Sequence, residues 1–163
     1  MKTIVKICPR DWLALLGWVG LSLSAGVAGS QFEPGLWYEL LRKPFWTPPS
    51  VVFPLVWSVL YVLMGLAVWR LWRTPRSKDR QLGLGLFLAQ LVLNAMWSWL
   101  FFGEHAISLA LIEIVLLQLS ILACVIVFCR TELVAGLLML PYLLWVSFAV
   151  ILNGGFWWLN RTG

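Results

Sequence analysis

The sequence has 163 residues, of which 61% are hydrophobic and only 12% are charged, and its net charge is +5. Because a soluble globular domain has about 25% charged residues, this composition excludes an ordinary soluble domain. The long apolar stretches lack the alternating pattern of a membrane β-barrel. We therefore predict an all-α integral membrane protein.

A helix that crosses a membrane needs about 20 apolar residues, and the sequence provides five such stretches in chain order. Residues 12–30 and 51–69 contain no charged residue. Residues 81–129 contain no Lys or Arg and are divided at Glu104, and residues 133–152 form the last stretch. The predicted transmembrane helices cover about 12–31, 51–71, 82–102, 106–129 and 133–155.

The N-terminus has two interpretations. Lys2, Lys6 and Arg10 precede an apolar run that ends in small residues, which resembles a cleaved secretory signal. The uncharged run is longer than the ~7–15 residues of a signal core, so we favour a retained first helix.

The positive charges are divided unequally between the two ends of a five-helix bundle. The end with the N-terminus has Lys2, Lys6, Arg10, Arg70, Arg73, Arg76, Lys78, Arg80 and Arg130, and the other end has Arg42, Lys43 and Arg161. Cytoplasmic loops are enriched in Lys and Arg, so we expect a cytoplasmic N-terminus in a bacterial cell membrane. Outer and organellar membranes are alternatives. The basic connector around residues 72–80 is interpreted as an anchor at lipid headgroups, and no nucleic-acid partner is expected.

The connector between the first two predicted helices, residues 32–50 (the first loop), is unusually long and rich in aromatic residues and proline. Trp37, Tyr38, Phe45 and Trp46 all lie in it. Connectors beyond about 12–15 residues tend to be functional lids or disordered, and this composition argues against disorder. The first loop is therefore either a lid over the bundle or an aromatic belt among lipid headgroups.

Helical periodicity places aromatic and amide side chains on common faces. The groups are Phe53, Trp57 and Tyr61 on the second predicted helix, Gln90, Asn94 and Trp97 on the third, and Trp145, Ala149 and Asn153 on the fifth. Polar side chains within a membrane span normally face the bundle interior or a cavity. These amides either bond neighbouring helices or line an aromatic-walled pocket beneath the first loop.

Glu113 lies inside the fourth predicted span, where a charged group is costly. We expect it to be hydrogen-bonded internally or neutral, and a role in a pathway is the alternative. No metal site is expected, because Cys8, Cys124, Cys129 and His105 lack the spacing of metal ligands.

Three segments carry a resemblance to a known family: "WYELLRKPFWTPPSVVFPLVWSVLYVLMGLA" (37–67), "QLVLNAMWSWLFF" (90–102) and "PYLLWVSFAVILN" (141–153). The sequence resembles the TspO/MBR family of tryptophan-rich sensory proteins and translocator proteins, also called peripheral-type benzodiazepine receptors. The resemblance implies a single five-helix membrane domain over residues 1–163, commonly a homodimer surrounded by membrane lipid. It also implies that the first loop covers a ligand pocket.

Ligands in this family are tetrapyrroles such as protoporphyrin IX and haem, sterols in some members, and synthetic benzodiazepine-type compounds. By motif position, the resemblance places in the pocket Trp37, Trp46, Phe53, Trp57, Tyr61, Asn94, Trp145 and Ala149. Arg42 and Lys43 are candidate contacts for porphyrin carboxylates. Because His105 lies on a different loop, metal-free porphyrin is favoured over ligated haem, and no cofactor is required.

One segment departs from the pattern of sterol-binding members, which have an L/V-x-Y-x-K/R sequence at the end of the last helix. Gly154 and Gly155 replace the tyrosine region, and Trp158 stands where a basic residue is expected. This departure argues against sterol transport.

Three functional hypotheses follow. The first is tetrapyrrole binding for sensing, sequestration or transport. The second is light- and oxygen-dependent degradation of bound porphyrin, with Trp57 and Trp145 as the reactive residues. The third is translocation of sterols or other lipophiles, although the sequence lacks the internal repeats common in secondary transporters. No conventional catalytic constellation is visible.

Overall fold

The apolar stretches fold as helices because a lipid-facing backbone must satisfy its hydrogen bonds internally. The computed structural model describes residues 9–161, so Lys2, Lys6 and Cys8 lie outside the described residues. The helices are α1 (Pro9–Gly29), α2 (Leu36–Leu40), α3 (Val52–Trp72), α4 (Lys78–Ser98, continued by a π-helical turn, Trp99–Gly103), α5 (Ile107–Thr131) and α6 (Leu133–Asn160). Five of them, α1, α3, α4 with its π-helical turn, α5 and α6, are long and apolar enough to cross a membrane. The predicted five-span, all-α fold is confirmed for this part of the chain.

The helix ends differ from the predicted ends by a few residues, for local reasons. α4 begins at Lys78 because the hydroxyl of Ser77 accepts a hydrogen bond from the Arg80 N–H, which caps the helix. α6 continues to Asn160, beyond the predicted end near residue 155. Gly154 and Gly155 do not end it, because neither adopts the positive φ of a glycine helix stop. The five-residue α2 was not predicted, since it is too short to show a period.

The spanning helices form a closed ring around one core. α1 contacts α3 and α4, α3 contacts α6, α6 contacts α5, and α5 contacts α4; α3 also touches α4 across the centre. Large side chains with no exposed surface fill the middle of the ring, among them Met64, Phe87, Phe128, Met139 and Tyr142 (the central cluster). A second apolar group, Phe101, Ala110, Leu152 and Phe156 (the loop-end cluster), lies beneath the first loop.

The opposite end of the bundle is fixed by an ion pair that joins α3 to the start of α6. Arg70 donates from Nε and Nη2 to the two carboxylate oxygens of Glu132, at 3.0 and 2.8 Å. Glu132 also accepts from the Ala135 N–H and so caps α6. These hydrogen bonds, chiefly those from Arg70, hold the pKa of Glu132 below its ordinary value.

We predict that Glu132→Ala destabilises the protein by about 1 kcal/mol through the lost cap, or about 2–4 °C in thermal midpoint for a chain of this size. The lowered pKa also sets a pH dependence. The stability from the pair is complete above the ordinary carboxyl pKa of 4.5 and is lost as pH falls through the lowered value. Thermal unfolding in detergent, from neutral into acid pH, should therefore show a smaller acid loss in the variant than in the parent.

The matched control is Glu33→Ala, because Glu33 is exposed and forms no ion pair within residues 9–161. We expect its acid loss and thermal midpoint to equal those of the parent. An identical acid profile for Glu132→Ala and the parent would contradict the assigned role of the pair.

Candidate ligand-binding site

The aromatic stripe of α3 faces α6, and its rings are in contact with aromatic rings there. Phe53 meets Trp145 edge-on, with ring centroids 6.0 Å apart. Trp57 stacks on Tyr61 at 5.4 Å and meets Tyr142 edge-on at 6.0 Å. Four predicted site residues, Phe53, Trp57, Tyr61 and Trp145, thus take part in two groups of ring contacts between α3 and α6; we call these four residues the aromatic wall.

A chain of buried hydrogen bonds lies behind the aromatic wall. The Tyr61 hydroxyl donates to Asn94 Oδ1 at 2.6 Å, Asn94 Nδ2 donates to the Tyr142 hydroxyl at 3.1 Å, and that hydroxyl donates to Gln90 Oε1 at 2.9 Å. Gln90 has no exposed surface and Asn94 is 5% exposed, so both amides face inward as the periodicity predicts. They bond side chains of neighbouring helices, which is one of the two alternatives left by the sequence.

Tyr142 was missed by the sequence analysis although it joins the two amides of α4. It has no exposed surface, and it lies three residues before Trp145 on the same face of α6. That spacing is the signal that could have found it. A third amide, Asn153, accepts from Trp97 Nε1 at 3.0 Å and donates to the Ile107 carbonyl at 3.2 Å, so it ties α6 to α4 and α5.

An open apolar groove of about 510 Å³ runs between α3 and α6 beside the aromatic wall. Its lining residues are Leu55, Val56, Val59, Leu60, Leu63, Pro141, Leu144, Trp145 and Phe148. Ligand sites typically measure about 300–1,000 Å³ and are mostly apolar. Ala149, one turn beyond Trp145, is half-buried and packs against the central cluster.

The two tryptophans of the first loop lie at the end of the bundle rather than against Trp57 or Trp145. Trp37 stacks on His105, with centroids 4.2 Å apart and planes 15° apart, and it packs against the loop-end cluster together with Phe53. Trp46 is 41% exposed. Within residues 9–161, neither indole makes a ring contact with Trp57 or Trp145.

The first loop is tied to the last turn of α6. Asn160 Oδ1 accepts from the Arg42 N–H at 3.0 Å, and Asn160 Nδ2 donates to the Arg42 carbonyl at 3.0 Å; we call this pair the loop clasp. Lys43 forms an ion pair with Glu39 at 2.9 Å and lies over the Tyr38 ring, so its charge is already paired within the first loop. The Arg42 side chain is exposed and forms no ion pair in the described part of the chain.

The two faces of the first loop differ. One face packs on the bundle through Trp37 and Tyr38, as a lid would. The other face carries Leu36, Leu40 and Phe45, which are 84%, 85% and 95% exposed. The lid and belt interpretations therefore each describe one face of the loop.

The first loop packs against α6 at Gly155, through Pro44 and Trp46; we call this contact the loop seat. A Cβ built at this position would lie 2.7 Å from Pro44 Cγ and 3.2 Å from the Trp46 ring, whereas a Cβ at Gly154 meets nothing within 4 Å. The glycine that interrupts the sterol pattern thus leaves room for the loop to pack.

Comparison with protein-family models matches residues 8–159 to the TspO/MBR family. The chain belongs to the TspO/MBR family.

Several curated proteins are similar to this TspO/MBR chain over most of their length. The tryptophan-rich protein TspO of Chlorobaculum tepidum is 42% identical over 88% of this chain and 94% of its own. Protein CrtK of Rhodobacter capsulatus is 38% identical over 83% of this chain and 86% of its own. The human translocator protein is 33% identical over 90% of this chain and 89% of its own.

The two adjacent glycines of this TspO/MBR protein allow a matched test of the loop seat. Gly154→Ala should stabilise α6 by about 0.5–1 kcal/mol, the usual helical difference between the two residues. Gly155→Ala gains the same helical preference but pushes the rigid Pro44 ring away, so we expect no stabilisation and a displaced loop. Thermal unfolding and the rate of tryptic cleavage after Arg42 report the two effects. Equal cleavage rates in the two variants would contradict the assignment.

Tyr142→Phe removes the hydroxyl that joins Asn94 to Gln90. Hydrogen bonds between membrane helices average ~0.6 kcal/mol, so we expect the loss of two to cost about 1 kcal/mol, measured as a lower thermal midpoint in detergent. Tyr38→Phe is the control, because its hydroxyl has no hydrogen bond among the described residues and the ring contacts persist. Equal midpoints for the two variants would show that the buried chain does not stabilise the bundle.

Proposed function

We propose that this TspO/MBR protein binds tetrapyrroles of the protoporphyrin type against the aromatic wall, for sensing, sequestration or transport. The observation that carries the proposal is the pair of ring contacts between α3 and α6, Phe53 with Trp145 and Trp57 with Tyr142, next to an apolar groove of about 510 Å³ that Trp145 lines. A porphyrin is a large flat π-system. Each good aromatic contact is worth about 0.5–1.5 kcal/mol beyond the buried area.

The first loop supplies the second half of the proposed site. In this proposal Trp37 and Trp46 close over the ligand from the loop end, and the loop clasp sets how readily they move. The exposed guanidinium of Arg42 is the better partner for a propionate group, because Lys43 is already paired with Glu39. Charge-assisted hydrogen bonds of this kind are stronger than neutral ones.

Metal-free porphyrin fits the residues better than axially ligated haem. His105 is the single histidine of the chain, and its ring stacks on Trp37 at the loop end rather than lying at the aromatic wall.

The membrane and the oligomeric state are part of the same proposal. The cation-rich connector after α3 and the start of α1 lie at one end of the bundle, which supports a bacterial cell membrane with a cytoplasmic N-terminus.

On α4, Gly85 and Ala89 are exposed one turn apart. Small residues at this spacing let membrane helices approach closely, which supports a homodimer through α4, with lipid covering the remaining apolar surface.

Light- and oxygen-dependent degradation of the bound porphyrin is a second candidate. It is favoured by the position of Trp57, whose indole contacts the rings of both Tyr61 and Tyr142. Excited porphyrin and oxygen would supply the reactivity, and neighbouring indoles would take part by quenching or oxidation. Translocation of lipophiles is a third candidate, favoured by the open side of the α3–α6 groove.

We predict that detergent-purified protein, titrated with protoporphyrin IX in the dark, shows saturable quenching of tryptophan fluorescence. The Trp57→Phe, Trp145→Phe double variant should bind about tenfold more weakly, the effect of losing roughly 1.4 kcal/mol of ring contact. The control is Trp12→Phe, Trp158→Phe, since both indoles are more than half exposed, at 55% and 59%. Absent or unsaturable quenching, or equal affinities for the two double variants, would contradict the proposed site.

Illumination of the same samples in air separates the candidates. A defined product that forms in the parent and in the control, but not in the Trp57→Phe, Trp145→Phe variant at saturating porphyrin, supports degradation. Equal conversion in all three proteins would leave binding as the function.

A further inference from the structure

A buried carboxyl group lies in a part of the bundle that the proposed function does not use. Glu113 on α5 is 5% exposed, and neither carboxyl oxygen has a hydrogen-bond partner among the described residues. Gln118, five residues further along α5, is partly satisfied: its Nε2 donates to Ser147 on α6 at 2.7 Å, whereas its Oε1 has no partner among the described residues. Of the two states expected from the sequence, internal hydrogen bonding is therefore not observed.

The surroundings of Glu113 are apolar. Its helical neighbours Ala110, Ile114 and Leu117 are 0%, 2% and 2% exposed, so the carboxyl group lies on the buried face of α5. Ala110 belongs to the loop-end cluster, and Ile114 and Leu117 pack in the central cluster. Glu113 therefore lies where the two apolar clusters meet.

Within residues 9–161, no positive charge is placed to balance an ionised Glu113. α5 packs mainly against α4 and α6, and residues 81–103 and 133–160 contain no charged residue. The ion pairs among the described residues join Lys43 to Glu39, Arg70 to Glu132 and Arg73 to Asp11. Among the described residues, the titratable side chain of Tyr142 on α6 interacts electrostatically with Glu113, and its hydroxyl is already bonded to Asn94 and Gln90.

An unpaired carboxylate in an apolar interior is far less stable than the neutral carboxylic acid. We propose that Glu113 is a proton-binding site of the bundle, which keeps its proton at neutral pH, and is the residue that hydrophobic carbodiimides modify. Loss of the proton places a charge between the two clusters and loosens the packing of α5 against α4 and α6. The packing of α5 is thus linked to the binding of one proton.

The modification is an addition reaction that requires the acid form. The carboxyl oxygen bonds to the central carbon of the carbodiimide, and the carboxyl proton moves to one of its nitrogens, which gives an O-acylisourea. An oxygen-to-nitrogen shift of the acyl group then gives a stable N-acylurea. No group leaves and no oxidant is needed.

The test uses the full chain in lipid nanodiscs at neutral pH, treated with dicyclohexylcarbodiimide and mapped by peptide mass spectrometry. We expect the adduct on Glu113 to exceed that on the exposed Glu33 by roughly tenfold, because the uncharged reagent enters the apolar interior. A cationic, water-soluble carbodiimide with an amine nucleophile should reverse this order. No adduct on Glu113, or the same order with both reagents, would overturn the proposal.

Stability measurements on Glu113→Gln give an independent test. Near the ordinary Glu pKa of about 4.3 the amide replaces a neutral acid in both the folded and the unfolded state, so the two thermal midpoints should be close there. Above that pH the unfolded chain releases the proton that the folded state holds, so the parent should lose stability relative to the variant as pH rises from about 4.3 to neutral. A variant midpoint that falls below that of the parent at neutral pH, or the same pH dependence in both proteins over this range, would overturn the proposal. If the variant does not fold, infrared spectroscopy of the parent gives the test. We expect a protonated-carboxyl band at neutral pH that disappears at alkaline pH. Absence of this band would overturn the proposal.

Discussion

The hydrogen-bond chain from Tyr61 through Asn94 and Tyr142 to Gln90 is the interaction on which the rest of the bundle depends. Apolar surface drives little association between helices in lipid, because the acyl chains are as apolar as the side chains. Directional contacts must then set how the helices face one another. This chain joins α3, α4 and α6 at one level of the core, and the same tyrosines contact Trp57. The geometry of the aromatic wall is thus a result of polar bonding behind it.

The two ends of the bundle are held by different chemistry. At one end, Arg70 and Glu132 combine an ion pair with a helix cap, which suits a region near water and headgroups. At the other end, the first loop packs through Pro44 and Trp46 on Gly155 and through backbone hydrogen bonds to Asn160. Among the described residues, the second set of contacts contains no ion pair between the first loop and the bundle.

The sequence predicted the features that depend on local patterns and missed those that depend on distant contacts. Apolar length defined the five spans, and periodicity placed Gln90 and Asn94 on the buried side. The loop clasp joins residues 118 positions apart, so no local pattern reveals it. The apolar run predicts an end of α6 near residue 155, and the helix continues to Asn160, where its last turn packs against the first loop. α2 also depends on tertiary packing, since five residues cannot form a stable helix alone.

One feature of α6 couples the two halves of the candidate site. Pro141 lies inside this helix, and because proline has no N–H, the Leu137 carbonyl lacks its usual helical hydrogen bond. The segment beyond it carries Trp145 as well as the loop seat at Gly155 and the clasp at Asn160. A bend at Pro141 would therefore move Trp145 and the loop seat together as one rigid arm, relative to the side chains that α3 contributes to the aromatic wall.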